Sequence, residues 1–320
     1  MPSLIEHMIR LYFILFLMGI TLESRAQQKI RGESGYQRIV MSSYDRDRVN
    51  DTRMFTGTSD IDDPDFHLGA PYEHRYALIV GNEKYRHQSR VKFAERDAET
   101  FAKYAKKAFL IPADNIINEN NLTIAELRNN FKLLSDFAKN DELAELFVFY
   151  AGHGVPDKKG YPLLLGVDQN AANLGETLEL EYVYNLLLSN TPVKVVVFLD
   201  ACFSGKSSRG ETIGDDLALG TRAARTKNVS RSYTGPILIF SSSEKQQTSN
   251  VFNDQGHGLF TYYLLKSIMD ANGKLTFGSL STKVISSVGL QATRMRLEQT
   301  PTVRNGSSIN GTWFSWKLHK

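Results

Sequence analysis

The chain has a single cysteine, Cys202, and its surroundings point to chemistry. It stands in Asp200-Ala201-Cys202-Phe203-Ser204-Gly205, directly behind the apolar run 195–199. A β-branched run of that kind reads as a strand buried on both faces, and such strands present functional residues at their carboxyl ends. A thiol there can attack a carbonyl as thiolate if a base takes its proton. His153 suits that task. It closes a second apolar run, LFVFYAGHG (146–154), 49 positions upstream of the cysteine. Gly154 follows with no side chain to block its N–H. A lone cysteine without such a context is most simply a small buried apolar residue. At the end of a buried strand, with a strand-end histidine about 50 residues upstream, the nucleophile is the better reading.

YAGHG (150–154) and DACFSG (200–205) resemble the caspase-like peptidases. The Asp-x-Cys order is similar to the metacaspase and bacterial caspase-like branch, where true caspases carry a Gln-Ala-Cys sequence. The resemblance covers roughly residues 76 to 270. It implies an α/β fold, a three-layer sandwich with a mostly parallel central sheet and helices on both faces, and a cysteine endopeptidase. It also implies an oxyanion hole made by the N–H groups of Gly154 and Cys202. No triad carboxylate can be assigned.

Alternation along the strand puts Asp200 on the same face as Cys202. A carboxylate beside the nucleophile suits a cationic P1 side chain, because the pairing is charge-assisted. The basic-specific pocket of the metacaspase branch uses this aspartate and a second one in the first helix. Asp97, in Ala94-Glu95-Arg96-Asp97-Ala98, matches that second position, with a helix-surface acid as the plain alternative. Arg or Lys at P1 is therefore expected, not Asp. The stretch ILIFSSSEKQQT (237–248) resembles the strand along which the family's substrates lie. A peptide adding to it would bring Ser241 and Ser242 into the pocket. The plain alternative is a core strand with a polar exit. Many metacaspases hold calcium with acids clustered after the catalytic strand. Here Lys206-Ser207-Ser208-Arg209 is basic, and Asp168, Asp215 and Asp216 form no cluster, so no metal or cofactor is assigned.

Gly-His-Gly occurs again around His257, but nothing apolar precedes it and an amphipathic segment follows. It reads as a residue at a helix start. His67, His74 and His87 lie in polar segments and read as surface residues.

The positioning elements alternate. Strands are expected at 76–81, 115–118, 146–151, 195–199 and 237–243. Helices are expected at 93–109, from Thr123 with Glu126 completing a capping box, at 178–188, 258–269 and 276–288, with a possible last strand at 313–316. Such alternation argues for a mostly parallel sheet covered on both faces. Residues 73–320 account for one catalytic domain.

Residues 1–26 read as a signal peptide, with an apolar core at 11–20 behind Arg10 and a small-x-small site at Ser24-Arg25-Ala26. The core is short for a membrane span, and the alternative is a short amino-terminal anchor. Export to a periplasm or beyond is the expectation. Residues 27–72 are polar and irregular, and read as a flexible leader or pro-segment. A second polar insert, 206–235, carries Lys206, Arg209, Arg222, Arg225, Lys227 and Arg231 where caspase-like zymogens are cut. Self-processing and a plain solvated loop are equal readings.

Composition narrows the class. With 320 residues, 42% hydrophobic and 23% charged, the chain is globular with a full core. A net charge of +3 without a basic block gives no reason to invoke nucleic acid or a membrane surface. One cysteine excludes an internal disulfide and thiolate-cluster metal sites. Protein or peptide substrates are the expected partners, with no oligomeric state assigned. Two rivals remain: a non-enzymatic caspase homologue, against which both reactive residues argue, and a peptide ligase running through the same acyl-enzyme. An α/β-hydrolase would need a Gly-x-Ser-x-Gly elbow, which is absent.

Overall fold

The computed structural model describes residue 55 and residues 57–203, 233–244 and 247–319. The expected signal peptide, most of the leader and most of the 206–235 insert lie outside the described residues.

Seven-residue strands β1 (Arg75–Gly81), β3 (Glu145–Ala151) and β7 (Lys194–Asp200) form the centre of a sheet. β2 (Ile116–Asn120), β8 (Ile237–Ser241) and β11 (Thr302–Asn305) complete the order β11-β8-β7-β3-β1-β2. Every pair is parallel except β11 with β8. Helices α1 (Ala94–Lys107), α4 (Leu259–Asp270) and α5 (Phe277–Arg294) cover one face. Helices α2 (Ile124–Phe137) and α3 (Leu180–Leu188) cover the other. This is the three-layer α/β sandwich expected from the alternation of elements.

The two faces differ in kind. Alternation sends Phe147, Phe149, Phe198 and Phe240 toward α1 and α4, where Phe101 stacks on Phe149 at 4.4 Å between centroids. The intervening residues, Val148, Val195, Val197, Leu199 and Ile239, form an aliphatic face under α2 and α3. Thr123 caps α2 and Glu126 completes the reciprocal box.

A small second sheet lies beyond the carboxyl end of β3. β4 (Gly154–Pro156) and β5 (Pro162–Leu164) form an antiparallel pair, and β6 (Leu178–Glu179) joins β5. A two-stranded ribbon, β9 (Val251–Phe252) and β10 (His257–Gly258), precedes α4.

Three expectations change. The last strand is β11, and residues 313–315 form a 3₁₀ turn instead, with Trp313 buried. Pro301 ends the preceding loop, and the short Thr-Val-Arg-Asn run pairs as an edge. α5 runs six residues further than its apolar spacing suggested. Residues 57–72, grouped with the leader, form a strap against α1 and α4. Ile61 and Phe66 enter the aromatic core, Tyr104 Oη donates to the Ile61 carbonyl at 3.0 Å, and Lys266 pairs with Asp60 at 3.1 Å. Two buried apolar side chains amid the acids were enough to seat it, a signal too sparse for periodicity to register.

Candidate active site

β3 and β7 are neighbours with Ala151 opposite Asp200, so two residues on, His153 and Cys202 leave the sheet level with each other. The Gly152 N–H donates to the Asp200 carbonyl at 3.3 Å and keeps the two exits together. A Cβ on Gly154 would run into the Phe203 ring and come within 3.0 Å of the Cys202 carbonyl. The strand end carrying the histidine thus lies directly against the one carrying the thiol, and glycine is required for that approach.

The His153 ring is buried and fixed. Its backbone N–H donates to Tyr85 Oη at 2.8 Å, and the two rings lie 4.5 Å apart. Nε2 is 2.7 Å from the Ser89 carbonyl. A carbonyl only accepts, so Nε2 carries the proton, and in the neutral ring Nδ1 carries the lone pair. The structure therefore sets the tautomer through a backbone group of the β1–α1 loop.

Cys202 is only 1% exposed, and its sulfur accepts the Ser249 N–H. The Ser249 hydroxyl donates to Asp200 Oδ1. Asp200 Oδ2 accepts the Thr261 N–H at 3.3 Å and the Thr261 hydroxyl at 2.6 Å. Ser249 therefore touches both the thiol and the acid two residues before it. Gln299, itself buried, holds this segment: its Oε1 accepts from Asn250 N–H at 2.8 Å, and its Nε2 donates to the Ser242 carbonyl at 3.0 Å.

Asp97 is fully buried rather than a helix-surface acid. Its carboxylate accepts from Gly258 N–H and from His257 Nδ1 at 2.8 Å. Asp97 and Asp200 thus meet at one place, the first turn of α4, where anions are favoured by the unpaired N–H groups and the helix dipole. Gly258, the N-cap, has no side chain to do that work. His257 does stand at a helix start, yet it is wholly buried, and its Nε2 lies 3.0 Å from Asp62 of the strap. Burial pushes the Asp62 carboxyl up, but the Ser59 N–H, His257 and Arg96 outweigh it and hold it below the ordinary value.

The two serines of β8 part company. Ser241 lines a cavity of about 100 Å3 on the aliphatic face, walled by Phe203, Leu180, Tyr184, Tyr233 and Tyr161. Ser242 is buried and donates to the Ala201 carbonyl at 3.3 Å, supporting the nucleophile's loop from behind. Alternation turns it away from this cavity, to the face of the sheet that Asp200 shares. Asp168 caps α2 through the Ile124 N–H at 2.9 Å. Asp215 and Asp216 lie outside the described residues. Among the described residues no group of three or more His, Cys, Asp or Glu side chains could hold a metal ion.

A profile of the caspase domain, the Peptidase C14 family, matches residues 74–309. The chain belongs to the caspase-domain peptidases. They are cysteine peptidases, so proteins or peptides are the general substrate class. No curated protein matches the chain. Two crystal structures show the fold. Protein GSU0716 from Geobacter sulfurreducens is 19% identical, with TM-score 0.51, over 72% of this chain and 93% of that one. Caspase-1 from Spodoptera frugiperda is 16% identical, with TM-score 0.51, over 75% and 89%. The caspase-domain match begins after the strap, so Asp62 comes from outside the region shared with the family.

Sequence reasoning missed Ser89, Ser249, Gln299 and Asp62. Ser89 acts through its carbonyl and Ser249 reaches the thiol through its N–H, backbone groups that leave no side-chain signature, and the Ser249 hydroxyl is one of many in a polar loop. Gln299 is one glutamine in a polar loop. Asp62 had a faint signal, an acid-rich run (IDDPD) in a chain with a second Gly-His-Gly at a helix start.

Proposed function

We propose that the protein is a cysteine endopeptidase that cuts after Arg or Lys. His153 Nδ1 takes the Cys202 proton, and the thiolate attacks the scissile carbonyl. The N–H groups of Gly154 and Cys202 hold the oxyanion. His153 returns the proton to the leaving amine, then activates the water that hydrolyses the acyl-enzyme. The Ser89 carbonyl keeps the ring in the required tautomer throughout.

The observation that carries this reading is Ser249. One residue reaches the nucleophile with its backbone and Asp200 with its side chain, the same two contacts a P1 residue needs. A substrate must displace Ser249, and Asp200 Oδ1 is then left for a guanidinium or ammonium group. With Ser249 seated, the thiol is covered and the enzyme is latent. Loss of the Gln299 contacts opens it. Release of this cover accompanies self-cleavage at the basic residues of the 206–235 insert. Residues 1–26 direct export, and Gln27 begins the mature chain.

The experiment is cleavage of matched fluorogenic peptides ending in Arg, Lys or Asp, with a Cys202→Ala control. Cleavage after Arg or Lys that vanishes in the control is expected. Cleavage after Asp alone would overturn the role of Asp200. An added amine nucleophile separates hydrolysis from ligation by its products. Amino-terminal sequencing of incubated and exported protein checks the insert cuts and Gln27.

A further inference from the structure

His257 is buried, lies outside the reacting pair, and has carboxylates at both ring nitrogens. Nδ1 is 2.8 Å from Asp97 Oδ1 and Nε2 is 3.0 Å from Asp62 Oδ1. Ionised carboxylates only accept, so the ring satisfies both when each nitrogen donates. The groups facing it are Asp97 from α1 and Asp62 from the strap, and Asp62 also pairs with Arg96. Asp97 passes the connection on to the Gly258 N–H at 3.1 Å, the N-cap of α4. Three residues later, Thr261 gives both its N–H and its hydroxyl to Asp200. A continuous chain of polar contacts thus runs from the strap, through His257 and Asp97, along the first turn of α4 and into Asp200.

Neither His257 nor Asp62 touches the thiol or His153. What they fix is where two carboxylates point. With Asp62 gone, the Nε2–H would be buried without its acceptor, and the ring could satisfy it only by turning away from Asp97. Asp97 would then lose one of the donors that orient it, and the turn carrying Thr261 would loosen.

We propose that Asp62 and His257 are positioning residues for the basic P1 pocket, so that the strap outside the caspase-domain match sets specificity for a cationic P1 side chain. The proposal rests on the reading of Asp200 as the P1 acid. It requires an effect on recognition of the cation and none on the chemical step.

The test uses the full chain, incubated until its peptidase activity is constant, and two peptides that differ only at P1, one ending in Arg and one in citrulline, its neutral near-isostere. Wild type should prefer Arg. With Asp62→Ala, KM for the Arg peptide should rise about five- to ten-fold, kcat should stay within about two-fold, and citrulline kinetics should not move. Asp62→Glu should recover most of the loss. His257→Gln should shift KM in the same direction and further. Because a buried substitution can unfold the protein, Asp62→Asn, at a site 21% exposed, provides a milder variant, and melting temperatures are read alongside. A KM for Arg unchanged in both Asp62→Ala and Asp62→Asn overturns the proposal. So does an equal fall in kcat for both peptides, which marks a merely structural role. A wild type that does not favour Arg over citrulline instead removes the P1 reading itself, whatever the variants do, and the proposal falls with it.

Discussion

The chain spells Gly-His-Gly twice, and the two copies have opposite fates. His153 ends a strand and meets a backbone carbonyl at Nε2, which leaves a lone pair at Nδ1 for proton transfer. His257 precedes a helix and meets a carboxylate at each nitrogen, which leaves no lone pair to offer. Both rings are fully buried. The difference lies entirely in the chemistry of the partners. A neutral acceptor on one side makes a base; anions on both sides make a clamp. The tripeptide itself says only that backbone passes close by.

The comparison can be broken most forcefully at His153. His153→Ala or Cys202→Ala should lower kcat/KM by about 10³-fold or more, while stability to denaturant changes by under about 1.5 kcal/mol. His257→Ala should do the reverse to stability. Removing the ring between Asp97 and Asp62 leaves the buried Asp97 carboxylate without its Nδ1 partner, a loss of about 3 kcal/mol in urea unfolding. If the two alanine variants lose similar stability, the contrast between base and clamp fails.

Gly154→Ala should cut kcat by about 10²-fold, since the new methyl group meets the Phe203 ring and displaces an oxyanion donor. Pairing it with Phe203→Ala should restore part of the rate. No recovery would mean that the Cys202 carbonyl, not the ring, is the obstacle.

Much of this was legible in residues and some was not. The strands that carry His153 and Cys202 announced themselves because burial on both faces leaves unbroken apolar runs. The α2 cap could be read from Thr123 and Glu126 alone. Asp97 and Asp200 were picked out, but their meeting at the start of α4 depends on packing between elements far apart in the chain. The Ser89 carbonyl and the Ser249 N–H belong to backbone that every residue possesses, so no side-chain pattern could mark them. The strap reads as leader because Ile61 and Phe66 are separated by three acids and one proline, with no period to count.

Smaller effects sharpen the account. Gln299→Ala should release the segment over the thiol and raise the rate of Cys202 alkylation by iodoacetamide about ten-fold; an unchanged rate would show that Gln299 is not what keeps Ser249 in place. The strap should be acid-labile. The Asp62 carboxyl is held below its ordinary value of 3.8, so its contribution is fully present above that pH and is lost as pH falls through the lower, folded value. Limited proteolysis of residues 57–72 should therefore accelerate only below about pH 4. Asp62→Asn should flatten that acid limb.

The strap is joined to the body through the backbone around residue 74, and its grip rests on Ile61, Phe66 and the half-buried Leu68 with a few polar contacts. In effect it is a ligand on a very short tether. Such a tether supplies a local concentration on the order of millimolar, so weak contacts suffice to keep the site filled. A chain begun at residue 74 would retain the whole caspase-domain match yet expose the seats of Ile61 and Phe66. A synthetic peptide covering 55–73 should then rebind and restore preference for Arg, saturating at a concentration that measures how much the covalent link was worth.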